Sequence, residues 1–381
     1  MKVLLGLSGG VDSAVAGKIL IDQGFEVTAL FMRNWDSAIN NDYLGNPTLT
    51  DDICPQEDDY NDALKVADQL GIELLRQDYI KEYWDLVFKK FIDEYEKGRT
   101  PNPDILCNKY IKFDTFYDYA KEHGFDALAT GHYVKKVEHN DGFALAKADD
   151  LNKDQSYFLS EISNEAMKYS IFPLGNLTKP EVRKIAADMN LAVADKKDST
   201  GVCFIGERDF RLFLSNYIPM KEGNIIDVDT GKVIGTHNGV YYYTIGQRKG
   251  FHVGGNRGPY YCVGKDVIKN ELYLSSHLTK SFLASTSCTV TGFNNQLNID
   301  LNGLDLKAKF RYRQKDNDVH VISYDGNDLL LSYDNIEAVS PGQEAVLYTT
   351  DGIMIGGGTI DKRFIDGSDV DKLIKDKLNN L

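Results

Sequence analysis

No stretch of this 381-residue chain approaches the roughly 18 to 20 consecutive apolar residues that a membrane-spanning helix needs. Met1–Leu7 runs straight into a loop, without the charged and then apolar segments of a cleavable leader. The expectation is a cytoplasmic protein without a membrane partner. Its five cysteines include no C-x-x-C pair, which argues against a zinc site built from cysteine pairs and leaves each thiol as filler, ligand or reactive group. Basic residues are the minority, 43 Lys and Arg against 57 Asp and Glu for a formal net charge of −14. Indiscriminate coating of nucleic acid is therefore excluded, whereas a local basic groove is not. Internal repeats and low-complexity segments are missing too. The last absence is local: Ser8–Ser13, SGGVDS, joins a hydrophobic run to a helix-period segment, where α/β proteins hold phosphate. No lysine follows as G-x-x-x-x-G-K-[ST] demands, so a kinase or GTPase reading fails.

What is present begins with a hydrophobic fraction of 42%, enough for real cores, on a chain long enough for two or three domains. Val3–Leu7 reads as a buried strand, Val11–Gln23 as a helix stopped by Gly24, and Phe25–Met32 as a second strand. Helices over Asp58–Leu70, Ile80–Tyr95 and Ile111–His123 alternate with strands over Ile72–Leu75 and Phe125–Thr130. Such alternation implies an α/β fold with a parallel sheet, helices on both faces and the ligand beyond the carboxyl ends of the strands. After about Gly206 the texture turns to short β-rich runs, such as Gly239–Ile245, and from Thr289 to Ile360 to alternating strands with Gly or Asn-Gly turns. The expected domains are a catalytic domain over 1–207, a small middle domain over 208–285, a C-terminal β-barrel over 286–362 and a charged tail over 363–381 with room for one helix.

A strand–SGGxDS–helix unit offers the backbone N–H groups of Gly9, Gly10 and Val11 and the hydroxyls of Ser8 and Ser13 to a polyphosphate at a positive helix end. Asp12 can hold a Mg²⁺ that bridges phosphate oxygens. This suits retention of pyrophosphate after attack at the α-phosphate of ATP. Two further loops carry cysteines. In RTPNPDILCNKYIKF, Arg99–Phe113, two prolines argue against helix before Asn108, so Cys107 is expected beside a helix N-terminus with Lys109 and Lys112 close by, conditions that favour thiolate. Asp104 lies three residues earlier as a candidate base. In KKDSTGVCFIGERDF, Lys196–Phe210, Cys203 follows a Ser-Thr-Gly turn. Taken alone, each of these cysteines is more often a small buried residue. Cys54, in an acidic loop, and Cys262 and Cys288, in strand-like runs, read as packing.

SGGVDS resembles the pyrophosphate loop of the N-type ATP pyrophosphatases, and the rest of the chain narrows that likeness. Asn102–Phe113, GHY at Gly131–Tyr133, KDQSYFL at Lys153–Leu159, FPLG at Phe172–Gly175, DSTGVCFIGER at Asp198–Arg208 and YTIGQRKG at Tyr243–Gly250 are similar, in order and spacing, to the bacterial tRNA-specific 2-thiouridylases. The resemblance implies an adenine-nucleotide α-hydrolase-like (PP-loop) domain. Gly6, Leu7, Ser8, Gly9, Gly10, Val11, Asp12 and Ser13 would hold ATP phosphates, Met32 would contact adenine through its backbone, and Gly131 would line the nucleotide pocket. It makes Cys203 the persulfide-carrying cysteine, Cys107 its partner and Asp104 the base, with the two thiols ending as a disulfide. Asn102, Pro103 and Asp104 would face the target uridine, which must leave the anticodon stack. His132, Lys153, Asp154, Gln155, Tyr312, Arg313 and Gln343 match tRNA contacts. Phe310–Lys315, FRYRQK, also interleaves aromatics with charge on chemical grounds, suited to stacking bases and neutralising phosphates.

Implied partners are ATP, Mg²⁺, the wobble-uridine tRNAs for lysine, glutamate and glutamine, and a sulfur donor such as a cysteine desulfurase or relay protein. Direct attack by the persulfide and release of sulfide by Cys107 remain alternatives. So do a nitrogen-transferring ligase of the argininosuccinate or asparagine synthetase kind, indifferent to both cysteines, a binding module without turnover, and a thiouridylase for another tRNA position. Four retained chemical groups, Asp12, Asp104, Cys107 and Cys203, speak against the pure binder.

Overall fold

The computed structural model describes residues 1–49, 51, 54–140, 142–198, 201–254 and 258–381. Two compact units emerge. The first comprises Met1–Lys89, Pro103–Phe213 and Asp351–Ile355.

Its centre is a five-stranded parallel sheet in the order Leu74–Asp78, Glu26–Arg33, Lys2–Gly6, Ala127–Ala129, Ser170–Ile171. Val3 and Leu5 are fully buried, and they pack with Ala14, Val15 and Leu20 of the helix Val11–Asp22 and with Val182 and Ala186 of the helix Lys179–Asp188. A strand hydrophobic at every position is what burial on both faces requires. From the central strand the chain steps to one neighbour through the first helix and reaches the other only later, so the order reverses at Lys2–Gly6. A ligand crevice belongs at the carboxyl end of such a strand, and that is where SGGVDS lies.

Pro103 corrects the expectation that helix waits for Asn108. Helix begins at Pro103–Cys107, passes through a π-helical stretch at Asn108–Thr115 and ends with Phe116–Glu122. Proline is accepted in a first turn, where its missing N–H has no partner to lose. Cys107 thus sits a full turn inside a helix rather than beside its start. Pro55 likewise opens the helix Pro55–Leu70 three residues earlier than expected.

The second unit holds Lys90–Asn102, Leu214–Thr350 and Gly356–Leu381. One four-stranded sheet is built from Tyr260–Asp266, Glu271–Ser276, Gly223–Asp227 and Val233–His237. A seven-stranded antiparallel sheet closes on itself where Ala284–Asn295 pairs with both Leu329–Glu337 and Met354–Ile365, forming the barrel. Gly239–Ile245 is not a strand: Val240–Tyr242 is a 3-10 turn, with the Tyr242 hydroxyl donating to the Ile218 carbonyl at 2.5 Å. Phe310–Lys315 leaves the barrel strand Asp305–Lys309 as a turn, with Arg313 at φ 62°. The charged tail is not a free tail. Its residues through Ile365 complete a barrel strand, and the helix Val370–Asn379 buries Val370 and Ile374 against Val263, Tyr273 and Leu283. Apolar residues at 370, 374 and 378 follow the helical period, a signal hidden among charges.

Candidate active site

The SGGVDS loop is self-braced. The Ser8 N–H donates to Ser13 Oγ at 3.2 Å, the two hydroxyls lie 3.2 Å apart, and Ser13 Oγ donates to the Gly10 carbonyl at 3.1 Å. Gly9 adopts φ 73°, and a Cβ there would lie 2.1 Å from the Asp59 carbonyl oxygen. Gly131 presses on the same loop from the neighbouring strand, since a Cβ on it would meet the Ser13 nitrogen at 2.8 Å. Only glycine permits these approaches. Met32 lies one residue from the end of the adjacent strand and is buried, its carbonyl accepting from Asn34 Nδ2 at 3.1 Å. Gly6, Leu7, Gly10 and Val11 complete the turn between strand and helix, so the expected nucleotide residues share one end of the sheet.

The lysine that the loop lacks in sequence reaches it from elsewhere. Lys179, the first residue of the helix Lys179–Asp188, places Nζ 2.6 Å from Asp12 Oδ1 and 2.7 Å from Asp198 Oδ1. A Thr178–Glu181 capping box fixes that helix start. Sequence reading missed Lys179; the Thr-Lys-Pro-Glu pattern marks the cap but not the direction of the lysine. The Tyr133 hydroxyl donates to the same Asp12 Oδ1 at 2.8 Å, so both bonds use one oxygen. A single carboxylate beside a phosphate loop suits a Mg²⁺ that keeps most of its waters and takes phosphate oxygens. Among the described residues no cluster of three His, Cys, Asp or Glu could by itself cage a metal.

Asp198 is a hub for three cations, Lys179, Lys153 and Arg183. Burial opposes its ionisation, but hydrogen bonds from Lys153 and Lys179 outweigh that and hold its carboxyl well below the usual range. Of the expected tRNA contacts in this unit, Lys153 is paired here, Asp154 is buried and accepts the Ala148 N–H at 3.2 Å, and Gln155 accepts the Tyr133 N–H at 2.9 Å. His132 is buried, bonded to Thr130 Oγ1 at 2.8 Å, and burial followed by the charge of Lys112 pushes its imidazole far below the ordinary value, hence neutral.

The two loop cysteines meet. Cys107 Sγ and Cys203 Sγ are 3.6 Å apart, both free, within thiol hydrogen-bond reach and farther apart than the roughly 2.05 Å of a disulfide bond. Cys203 sits on a tight turn closed by the Gly206 N–H to the Val202 carbonyl at 2.8 Å, with Phe204 at φ 65°. Three distant groups hold that turn: Gln56 Nε2 donates to the Phe204 carbonyl at 2.6 Å, the Tyr83 hydroxyl donates to the Cys203 carbonyl at 2.8 Å, and Asp104 Oδ1 accepts the Cys203 N–H at 3.1 Å. Ser199 and Thr200 of the expected Ser-Thr-Gly turn lie outside the described residues. A buried ion pair of Arg208 with Asp42 anchors the segment that follows Cys203.

Thiolate character falls opposite to the sequence expectation. Burial pushes the Cys107 thiol well above its ordinary value. The Cys203 thiol is lowered, first by the hydrogen bond from Cys107 and then, against burial, by the nearby charge of Lys112. Lys109 takes no part, because its ammonium is paired with Glu161 at 2.7 Å. Burial also raises the Asp104 carboxyl, partly offset by the Cys203 N–H, which makes it a better proton acceptor at neutral pH.

Asn102, Tyr312, Arg313 and Gln343 lie in the second unit. There Gln343 Nε2 donates to the Thr100 carbonyl at 2.7 Å, and the Thr100 N–H donates to the Pro341 carbonyl at 2.9 Å, so the irregular segment leading to Asn102 is pinned near the barrel residues 341–343. The Arg313 guanidinium lies 5.3 Å from the Tyr312 ring centroid.

Family models match in three consecutive blocks: the tRNA methyl transferase HUP domain over residues 1–207, the tRNA methyl transferase PRC-barrel domain over 211–276 and the aminomethyltransferase beta-barrel domain over 286–360. Curated relatives extend along nearly the whole chain. The tRNA-specific 2-thiouridylase MnmA of Mycoplasma capricolum is 56% identical over 371 residues, covering 95% of this chain and 98% of its own. That of Mycoplasmopsis synoviae is 53% identical over 365 residues, 96% of each chain, and that of Acholeplasma laidlawii 50% over 374 residues, 96% of this chain and 98% of its own. A solved 4-thiouridine synthetase–RNA complex with bound ATP covers 53% of this chain and 44% of its own at 16% identity and a TM-score of 0.32, too low a likeness to bear on fold or ligand. With half or more of its residues shared end to end with those relatives, the chain belongs to the family of tRNA-specific 2-thiouridylases.

Proposed function

We propose that this chain is an ATP-dependent tRNA uridine 2-sulfurtransferase acting on the wobble uridine of lysine, glutamate and glutamine tRNAs. The observation that carries the reading is the 3.6 Å approach of Cys107 and Cys203 beside Asp104, in the same unit as a self-braced phosphate loop. A nitrogen-transferring ligase has no use for that thiol pair.

In the first half-reaction uridine O2 attacks the α-phosphorus of ATP and pyrophosphate leaves. The amides of Gly9, Gly10 and Val11, the Ser8 and Ser13 hydroxyls and the Lys179 ammonium neutralise the departing charge. Met32 and Gly131 flank the adenosine. Asp12 would hold a Mg²⁺, which would supply further charge neutralisation. In the second half-reaction a persulfide sulfur on Cys203, delivered by a cysteine desulfurase or relay protein, attacks C2 and AMP departs. The Cys107 sulfur then attacks Cys203 Sγ, the older S–S bond breaks, and its outer sulfur stays on C2. Both thiols are thereby oxidised to a Cys107–Cys203 disulfide while the sulfane sulfur is reduced, and Asp104 accepts a proton. Asn102 and Pro103 line the approach of the base. Lys153, Asp154, Gln155, His132, Tyr312, Arg313 and Gln343 serve the RNA, the buried ones by shaping the loops that meet it.

The test is nucleoside mass spectrometry of tRNA after incubation with ATP, Mg²⁺ and a persulfide donor. The expected result is 2-thiouridine with the wild type and a loss of at least 100-fold with Cys203→Ser. AMP and pyrophosphate formed only with a small acid or amine, never with RNA, would overturn it.

A further inference from the structure

Two sulfurs 3.6 Å apart can share one proton, and the sulfur that accepts the S–H is the better anion. That bond alone is symmetric in principle: it stabilises an anion on either sulfur and cannot choose between them. The choice must come from the surroundings. Tyr83, at the end of the short helix Ile80–Tyr83, and Asp104, at the helix start at Pro103, face the pair, and His132 lies near Lys112. Tyr83 and His132 are neutral, since burial raises the phenol far above and lowers the imidazole far below their ordinary values. Asp104 accepts the Cys203 N–H, and its charge disfavours an anion on either sulfur. The cation of the group is Lys112.

Lys112 lies in the π-helical stretch Asn108–Thr115, where the widened turn changes the angle at which side chains leave the helix. Its Nζ is 5.6 Å from the centroid of Phe204, the residue after Cys203, and its charge acts on Cys203 ahead of Cys107. Among the described residues no carboxylate forms an ion pair with it, unlike Lys109 three positions earlier, which is neutralised by Glu161. A partly buried ammonium without a carboxylate partner is stabilised by another anion beside it. Cys107, by contrast, is fully buried, and for it burial outweighs the charge of Lys112.

We propose that Lys112 is the positioning residue that assigns the anion to Cys203 rather than Cys107, and so fixes which of the two thiols takes sulfur from the donor. The step is balanced as Cys203–S⁻ attacking the outer sulfur of a donor persulfide R–S–SH: a new S–S bond forms, the donor S–S bond breaks, and the donor leaves as R–S⁻, giving Cys203–S–SH. Cys107 keeps its proton through this step and gives it up only when it later attacks Cys203. The proposal rests on the sulfur-transfer reading for its purpose, but its test needs neither tRNA nor ATP.

The experiment is iodoacetamide alkylation of the intact, reduced chain between pH 5 and 10, read peptide by peptide by mass spectrometry for Cys203 and Cys107. In the wild type, Cys203 is expected to alkylate with a midpoint below that of an ordinary thiol and below that of Cys107. Lys112→Met should raise the Cys203 midpoint by at least one pH unit, a tenfold lower rate at neutral pH, and Lys112→Arg should restore most of it. An unmoved midpoint in a folded Lys112→Met chain overturns the proposal. So does a wild-type chain in which Cys107 has the lower midpoint, an outcome that needs no variant to fold. Loss of tRNA thiolation with the alkylation profiles as expected would count against the function and leave the role of Lys112 intact.

Discussion

Gly9 carries two constraints at one position, a left-handed φ of 73° and a carbonyl oxygen where a Cβ would go. A Gly9→Ala chain must therefore move either the phosphate loop or the helix Pro55–Leu70. Strain of this kind costs on the order of 1–3 kcal/mol; the expected outcome is a lowered melting temperature and loss of most AMP formation, measured by calorimetry and by nucleotide chromatography. Lys179 makes a different case, because it carries charge rather than shape. Lys179→Met should lower pyrophosphate release by about 10²-fold or more, the usual consequence of removing one donor from developing charge, with little change in Cys203 alkylation. Equal loss of both would mean that the Asp198 hub, not phosphate binding, is what Lys179 serves.

Helices and loops set these residues in place through contacts remote in sequence. The turn bearing Cys203 is held from residues 56, 83 and 104, so its geometry belongs to no local segment. Arg208 and Asp42 are both nearly inaccessible, and truncating one of such a pair strands the other charge, at a cost of about 3–5 kcal/mol. Asp42→Ala is expected to destabilise the first unit by that amount in urea unfolding. The C-terminal helix offers the apolar counterpart. Ile374 is fully buried against Val263, Tyr273 and Leu283, and Ile374→Ala should cost about 2–5 kcal/mol in the second unit. An unchanged transition would mean that the helix is not docked.

For the whole molecule the charge balance governs two responses. A net charge of −14 leaves RNA affinity to local cations, so raising salt from about 50 to 200 mM should weaken tRNA binding steeply, in proportion to the few phosphates neutralised. Acid acts through carboxylates held below their ordinary values. Glu57 is lowered by its hydrogen bond from Arg76, and Asp62 and Asp198 by lysine hydrogen bonds that outweigh burial. These groups bind fewer protons folded than unfolded, so the stability they give is present above about pH 4.5 and lost as pH falls further. Asp104 and Asp114, raised by burial, act with the opposite sign and soften the decline. The melting temperature should drop between about pH 5 and pH 3, and by less in Asp198→Asn.

The sequence by itself determined the parallel α/β unit, because strand burial and helix period are local patterns, and it located the SGGVDS turn between strand and helix, because that motif needs its residues contiguous. It also singled out Cys107, Cys203 and Asp104, through motifs whose order is linear. Their pairing across 96 positions, the arrival of Lys179 at Asp12 and the reversal that makes Cys203 rather than Cys107 the better anion were decided only by tertiary structure. The physical reason is that burial and Coulomb fields act through space. Lys109 and Lys112 both follow Cys107 within a few residues, yet one is paired with Glu161 and the other acts on Cys203, and no local pattern tells them apart.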